Sequence, residues 1–262
     1  MNLLKCIKIV IDMNISVVIL TKNSQNTLEK TLKSVNFAKE ILLIDEDSTD
    51  DTLFLAKKYG ARVINRKLTN NFSAQRNFGI KKTMEDWVLF IDADEVLSKE
   101  LTQEIKEMSD PNVESFYIKR RDIFWGRVLK YGELRAAYRK GIVRLIKKNS
   151  GIWEGQVHER FVTTKTTGYF KGFINHYSHN SIKEFIVDIN NYSTIRAKEL
   201  QIMGKKTNIF QILFYPIVKF KMNYILKLGF LDGVHGFIYS FMMSFHSFLV
   251  RAKLYQYTRL KD

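Results

Sequence analysis

The stretch Trp87-Val88-Leu89-Phe90-Ile91-Asp92-Ala93-Asp94-Glu95 decides how the chain is read. Five consecutive apolar residues without polar alternation predict a strand buried on both faces, and such strands belong to parallel sheets with helices packed against them. Asp92, Asp94 and Glu95 stand where that strand ends. In open α/β sheets ligands bind outside the carboxyl ends of the strands, so carboxylates there are candidates for chemistry.

Upstream, short apolar runs alternate with amphipathic stretches, as βαβ units require. Strands are predicted at Ile15 to Leu20, Ile41 to Ile44 and Ala61 to Ile64. Helices are predicted over Asn26 to Val35, from a Ser48 or Asp50 cap through Tyr59, over Phe72 to Thr83, and after a Ser98 cap. Beyond Ser115 the pattern loosens, with strands at Ser115 to Lys119, Gly141 to Ile146 and Tyr169 to Asn175 and a long helix from Ser181 to about Met203. The expected class is α/β, with a Rossmann-like, mainly parallel central sheet, flanking helices and a C-terminal helical segment. A chain of 262 residues suits one catalytic domain with an appendage, placed here at 1–205 and 206–262.

One cysteine, Cys6, excludes an intramolecular disulfide and a Cys-rich zinc site, and fits a reducing cytoplasmic setting. The apolar run of Met1 to Met13 is broken by Lys5, Lys8 and Asp12 and lacks a small-residue cleavage site, so no signal peptide is expected, and Met13 is an alternative start. The net charge of +15 is unevenly shared. Residues 1–114 hold 16 Lys/Arg against 18 Asp/Glu, and 115–262 hold 26 against 9, so the halves balance at −2 and +17. The acidic half suits a bound cation, and the basic half suits phosphates, anionic glycolipid or a membrane surface, a solvated basic face being the plain alternative. Gly233 to Val250 runs without Lys, Arg, Asp or Glu and reaches the spanning length of about 18 residues. Its two histidines, its serines and glycines and its basic flanks favour an interfacial reading on the inner face of a membrane. A helical hairpin packed on the core and a true span are the other two readings.

Two further segments carry candidate chemistry. Asp45 to Asp51 gathers five carboxylates in seven residues, and carboxylates accept hydrogen bonds from a base N–H and from ribose hydroxyls. Asp92 and Asp94 together suit a hard divalent cation, Mg²⁺ or Mn²⁺, which takes few protein carboxylates and completes its shell with water and phosphate oxygens. Arg76, at a helix start between these segments, is placed to meet a diphosphate or to pair with the acidic loops.

Ser16 to Asn23, Ile44 to Asp50, Ala74-Gln75-Arg76-Asn77 and Leu89 to Glu95, in this order and spacing, resemble the family 2 inverting glycosyltransferases of the GT-A fold. Within them the chain is similar to the lipopolysaccharide core glucosyltransferase branch. The resemblance covers about 14–110, and it makes 14–114 a donor half and 115–205 an acceptor half. It implies a nucleotide diphosphate sugar donor, such as a UDP-sugar, and transfer of a hexose to a glycolipid or glycan acceptor at the cytoplasmic face of the inner membrane, with no nucleic acid partner. It implies that Thr21, Asn23 and the Asp45, Glu46 and Asp47 loop hold base and ribose, and that Asp94 holds the metal with Asp92 near ribose or metal. Many members carry glycine where Asp47 stands, which leaves open which carboxylate reads the base.

The catalytic base belongs to the second half, where only nine acidic residues are available. Trp153 to Arg160 supplies two of them beside His158, and relatives carry a similar His-Glu pair, so Glu159 is chosen as base with Glu154 as fallback. The competing reading has His158 and Glu159 stabilising a loop. His176 is read as a third metal ligand or diphosphate contact against a structural role, and Arg144 as a contact to donor or acceptor phosphate against a surface role. Two other functions fit parts of the pattern. A nucleotidyltransferase would show an early glycine-rich phosphate loop, which Thr21 to Leu28 lacks, and a non-enzymatic basic module would use the +17 half alone.

Overall fold

A computed structural model describes residues 14–67, 71–155 and 159–259. Met1 to Met13 and His158 lie outside the described residues. The early apolar runs form β1 (Ile15–Thr21), β2 (Glu40–Asp45) and β3 (Arg62–Asn65), joined through α1 (Leu28–Ser34) and α2 (Thr52–Lys58), and α3 (Phe72–Lys82) leads into β4 (Trp87–Asp92). β1 lies between β2 and β4, parallel to both, and β2 pairs parallel with β3. The runs are continuous because both sheet faces are covered. Val17, Ile19, Leu43 and Leu89 enter one apolar core, while Val18, Leu42, Ile44 and Phe90 enter the other. Gly79 lets α3 press on the second face, since a Cβ there would sit 2.8 Å from Val18 Cγ1.

Next come β5 (Glu95–Leu97), α4 (Lys99–Lys106), β6 (Ser115–Phe124), β7 (Arg127–Leu129), α5 (Arg135–Arg139), β8 (Ile142–Lys147), β9 (Ile152–Glu154), β10 (Arg160–Val162) and β11 (Thr167–His176). Ser98 caps α4 as predicted, its Oγ accepting from Leu101 N at 3.2 Å. The strand order is β3-β2-β1-β4-β8-β6-β11-β5. β8 is antiparallel to β4 and β6, so the sheet is parallel on one side of β4 and turns antiparallel at β8. β6 runs five residues beyond the predicted Lys119, because Lys119, Arg120 and Arg121 interrupt the apolar pattern but not the backbone ladder. Three-residue strands such as β5, β9 and β10 hold too little alternation to be seen in sequence.

By packing the chain forms two compact units. One holds residues up to Arg120 with Lys140–Asn175, and the other holds Arg121–Arg139 with the chain from His176 onward. In the second unit α6 (Ile182–Ile202) and α7 (Ile209–Lys221) pack on α8 (Gly233–Arg259). Ser181 and Asn208 cap α6 and α7, accepting from Glu184 N at 3.1 Å and Gln211 N at 2.9 Å. Phe124, Leu129, Phe185, Ile189 and Met242 form this unit's main apolar cluster. Packing therefore groups α6 with the helices that follow it. Among the described residues no helix is long and apolar enough to cross a membrane.

Candidate active site

The parallel register brings the acidic segments to one edge. Thr21 is level with Asp45, Leu20 with Asp92, and Asp45 with Asn65. With neighbouring strands about 4.8 Å apart, the ends of β2 and β4 stand only about 10 Å from each other across β1.

At the β1 and β2 ends the loops are laced together. Asp45 is fully buried; its Oδ1 accepts from Thr21 Oγ1 at 2.9 Å and Ser48 Oγ at 2.6 Å, and its Oδ2 accepts from Ser48 N at 2.8 Å. Asn23 N donates to Ser48 Oγ at 2.8 Å and Asn23 Oδ1 accepts from Thr49 N at 2.9 Å. Ser48 therefore bridges loops instead of capping α2, which begins at Thr52, where Asp50 Oδ1 accepts the Thr52 N–H at 3.0 Å. Asn23 and Asp47 both take left-handed backbone, φ 46° and 50°. Asn and Asp tolerate that region better than other side chains, which explains how Asp47 occupies a position that many family 2 members fill with glycine. Glu46 pairs with Lys22 at 3.2 Å, and Asp47 Oδ1 accepts from Asn65 Nδ2 at 2.6 Å.

The β4 end is a cluster of opposed charges under the sheet edge. Arg76, 3% exposed, donates from Nη2 to Asp92 Oδ1 at 3.2 Å and from Nε to Glu159 Oε1 at 3.0 Å. Its guanidinium lies 5.1 Å from the Trp153 ring centroid and 5.5 Å from that of Phe90. Arg144, also 3% exposed, donates from Nη2 to Asp92 Oδ2 at 2.8 Å and Glu95 Oε1 at 2.9 Å. Burial works against the Arg144 charge, but Asp92 and Glu95 outweigh it and hold the guanidinium protonated, above the ordinary arginine range. Glu95 is fully buried and also accepts the Asp92 N–H at 2.9 Å, so it fixes the turn on which Asp94 stands, part-exposed.

The polar start of α3 explains how residue 159 reaches this cluster. Asn77 exchanges two hydrogen bonds with the Trp153 backbone, at 2.8 and 3.0 Å, and Ser73 Oγ donates to Gly155 O, so α3 grips the β9–β10 hairpin. Glu159 thereby joins Arg76 and Asp92, while Glu154 is exposed on β9, in register with Arg160. His176 lies in the second unit, its Nδ1 2.7 Å from Asp122 Oδ1. Among the described residues no three His, Cys, Asp or Glu converge as a ready-made metal cage. Sequence reasoning placed Glu95 among the strand-end carboxylates without a role of its own, and missed Ser73, Asn77 and Trp153 as parts of the site. A usable signal was present in α3, where Ser73, Gln75 and Arg76 are buried on a helix without an apolar stripe.

Residues 16–177 match Glycosyl transferase family 2. The chain belongs to this family. As a family 2 glycosyltransferase it is 32% identical over 254 residues to a glycosyltransferase of Rickettsia conorii, covering 92% of this chain and 89% of the relative. It is 27% identical over 257 residues to the lipopolysaccharide core biosynthesis glycosyltransferase LpsC of Rhizobium meliloti, covering 94% of both. Among solved structures, glucosyl-3-phosphoglycerate synthase of Mycobacterium tuberculosis, in complex with Mn²⁺, uridine-diphosphate-glucose and phosphoglyceric acid, superposes with a TM-score of 0.47 at 18% identity, over 73% of this chain and 80% of that one. The family match takes in the glycosyltransferase's β1, β2 and β4 ends together with Arg76, Arg144 and Glu159. Membership removes the reading as a non-enzymatic basic module.

Proposed function

We propose that the enzyme transfers a hexose from a nucleotide diphosphate sugar to a hydroxyl of a surface glycan or lipopolysaccharide core acceptor, by a single inverting displacement. The observation that carries this reading is Arg76, which ties Asp92, at the end of the β4 strand, to Glu159 on the β9–β10 hairpin. Base and ribose lie against the Thr21, Asn23 and Asp45 to Asp47 edge. Asp45, saturated by Thr21 and Ser48, holds the loops in shape, so Glu46 and Asp47 are the carboxylates that meet the nucleoside.

The donor set fits a hard divalent cation. Asp92 gives both oxygens to arginines, which makes Asp94 the direct ligand and Asp92 the group that positions it, and Mg²⁺ or Mn²⁺ needs only one or two protein carboxylates beside phosphate. When bound, the ion neutralises charge on the departing diphosphate. Arg76 Nη1 makes no hydrogen bond among the described residues and belongs to the diphosphate side of the site in this reading. Arg144 acts through Asp92 and Glu95 as a positioning residue. The reading of His176 as a metal or diphosphate contact rests on its sequence position alone, and its ring is paired with Asp122 within the second unit.

Glu159 takes the proton of the acceptor hydroxyl as that oxygen attacks the anomeric carbon, and Arg76 Nε orients the carboxylate for the transfer. The lipopolysaccharide assignment draws on the LpsC relative and on the basic second half.

Thermal shifts measured with nucleoside diphosphates and their sugars, with and without Mn²⁺ or Mg²⁺, test the reading. A metal-dependent rise in the melting midpoint, lost in Asp94→Asn, is the expected result. If no nucleotide shifts the midpoint with either metal, the donor assignment fails.

A further inference from the structure

The apolar side of α7 faces outward. At 100° per residue, Ile209, Phe210, Leu213, Phe214, Ile217 and Val218 share one half of the helix, and each is exposed by 50% to 68%. The polar groups turn the other way. Lys219 Nζ donates to Glu133 Oε1 at 2.8 Å, Asn223 is buried just beyond the helix, and Gln211 Oε1 is closed off from solvent. No residue of α7 is buried. A helix bathed in water on its outer side shows the opposite arrangement.

The surface continues beyond α7. Phe220 and Tyr224 contact Phe237 of α8 at ring separations of 5.7 and 5.6 Å, and exposed Val234, Phe237 and Phe241 run along one side of α8. Soluble monomers rarely leave so extended an apolar surface in the open.

Charge says what covers it. From Lys205 to Lys261 there are nine Lys/Arg and one carboxylate, Asp232. That carboxylate is buried and accepts from the N–H groups of Lys130 and Tyr131, both at 3.0 Å. Exposed Lys205 and Lys206 precede the α7 stripe, and exposed Lys221 ends it. A second copy of the chain would set like charges against each other, whereas an anionic bilayer offers hydrocarbon to the stripe and opposite charge to its ends.

We propose that α7 and the first turns of α8 lie in the interface of an anionic membrane, with their exposed apolar sides below the headgroups and Lys205, Lys206 and Lys221 among them. Insertion is one-sided and needs no span. It does not depend on which sugar the catalytic unit transfers.

Co-sedimentation of the full chain with phosphatidylglycerol/phosphatidylcholine vesicles, and with pure phosphatidylcholine vesicles, tests this. Binding to the anionic vesicles is expected to exceed binding to the neutral ones at least tenfold at low salt. Phe214→Glu with Ile217→Glu is expected to abolish it, with circular dichroism and metal-dependent nucleotide thermal shifts unchanged, because neither side chain supports the core. Two results overturn the proposal: wild-type protein that stays in the supernatant with anionic vesicles, and a concentration-dependent dimer that the same double substitution dissolves without any vesicle binding. Loss of nucleotide shifts with retained vesicle binding would overturn the catalytic reading and leave this one standing.

Discussion

Arg76 and Arg144 are buried among carboxylates, while Phe210 and Phe214 stand in the open on α7. In the first unit, charge is enclosed because each guanidinium meets carboxylates within hydrogen-bonding distance, which offsets the cost of removing it from water. In the second unit, apolar surface stays outside because the inner side of α7 is committed to Lys219, Gln211 and the Glu133 contact. Residue type alone therefore predicts neither position. Both inversions of the usual rule fall on the surfaces proposed above to meet something other than water.

The sharpest way to break the comparison is at the enclosed charges. Glu159→Gln should lower kcat by about 10²–10⁴-fold, the usual contribution of a general base, with the fold intact, while Glu154→Gln should leave most of the rate. The reverse result in steady-state assays moves the base to Glu154. Arg144→Met removes the guanidinium hydrogen-bonded to both Asp92 and Glu95, leaving Arg76 on Asp92 and the more distant Arg120 near Glu95, and should cost about 1.5–3 kcal/mol, read as a fall in the urea midpoint. A midpoint unchanged by that substitution would mean the cluster is not closed to water.

Smaller effects sharpen the contrast. Gly79→Ala sets a methyl 2.8 Å from Val18 Cγ1 and 3.1 Å from Ile44 Cδ1, inside van der Waals contact, and should destabilise by about 1–3 kcal/mol. At the amino end of the same sheet, burial pushes the Glu40 carboxyl up, but hydrogen bonds from the Met84 N–H, Ser16 Oγ and Arg62 outweigh it and leave it below the ordinary carboxylate range. A carboxyl depressed in the folded state adds stability that is complete above its unfolded pKa, about 4.3, and declines as pH falls through the folded value. Glu40→Gln should flatten that acid limb by about 1 kcal/mol, measured by urea titrations at pH 7 and pH 3. The smallest effect is expected on α7, where Phe214→Glu should change stability in solution by less than about 0.5 kcal/mol. A cooperative loss of several kcal/mol there would show that the exposed stripe packs within the protein after all.

Most of the parallel half could be read without coordinates. The Trp87 to Ile91 run, the Ser98 cap and the Ser181 to Met203 helix carry local signals, since burial on both faces, capping side chains and helical spacing are written into neighbouring residues. The antiparallel pairing of β8, itself predicted as a strand at Gly141 to Ile146, was not readable, nor were the full length of β6 and the three-residue strands, because the backbone partners lie far along the chain. The site divides in the same way. Asp45, Asp92 and Asp94 announce themselves at strand ends, and of the two cap candidates Ser48 and Asp50, Ser48 bridges two loops while Asp50 accepts the Thr52 N–H at the start of α2.

By itself the sequence determined that a parallel βαβ sheet forms and that two acidic segments end its strands, because strand burial and strand order are local and nearly local matters. Only the tertiary structure decided that Arg76 would join Asp92 to Glu159, that Glu95 would lie wholly buried beneath Arg144, and that α7 would turn its apolar side outward. Those outcomes depend on contacts between residues tens of positions apart, where the partner that satisfies a charge or leaves a face uncovered is chosen by packing and not by the neighbours in the chain.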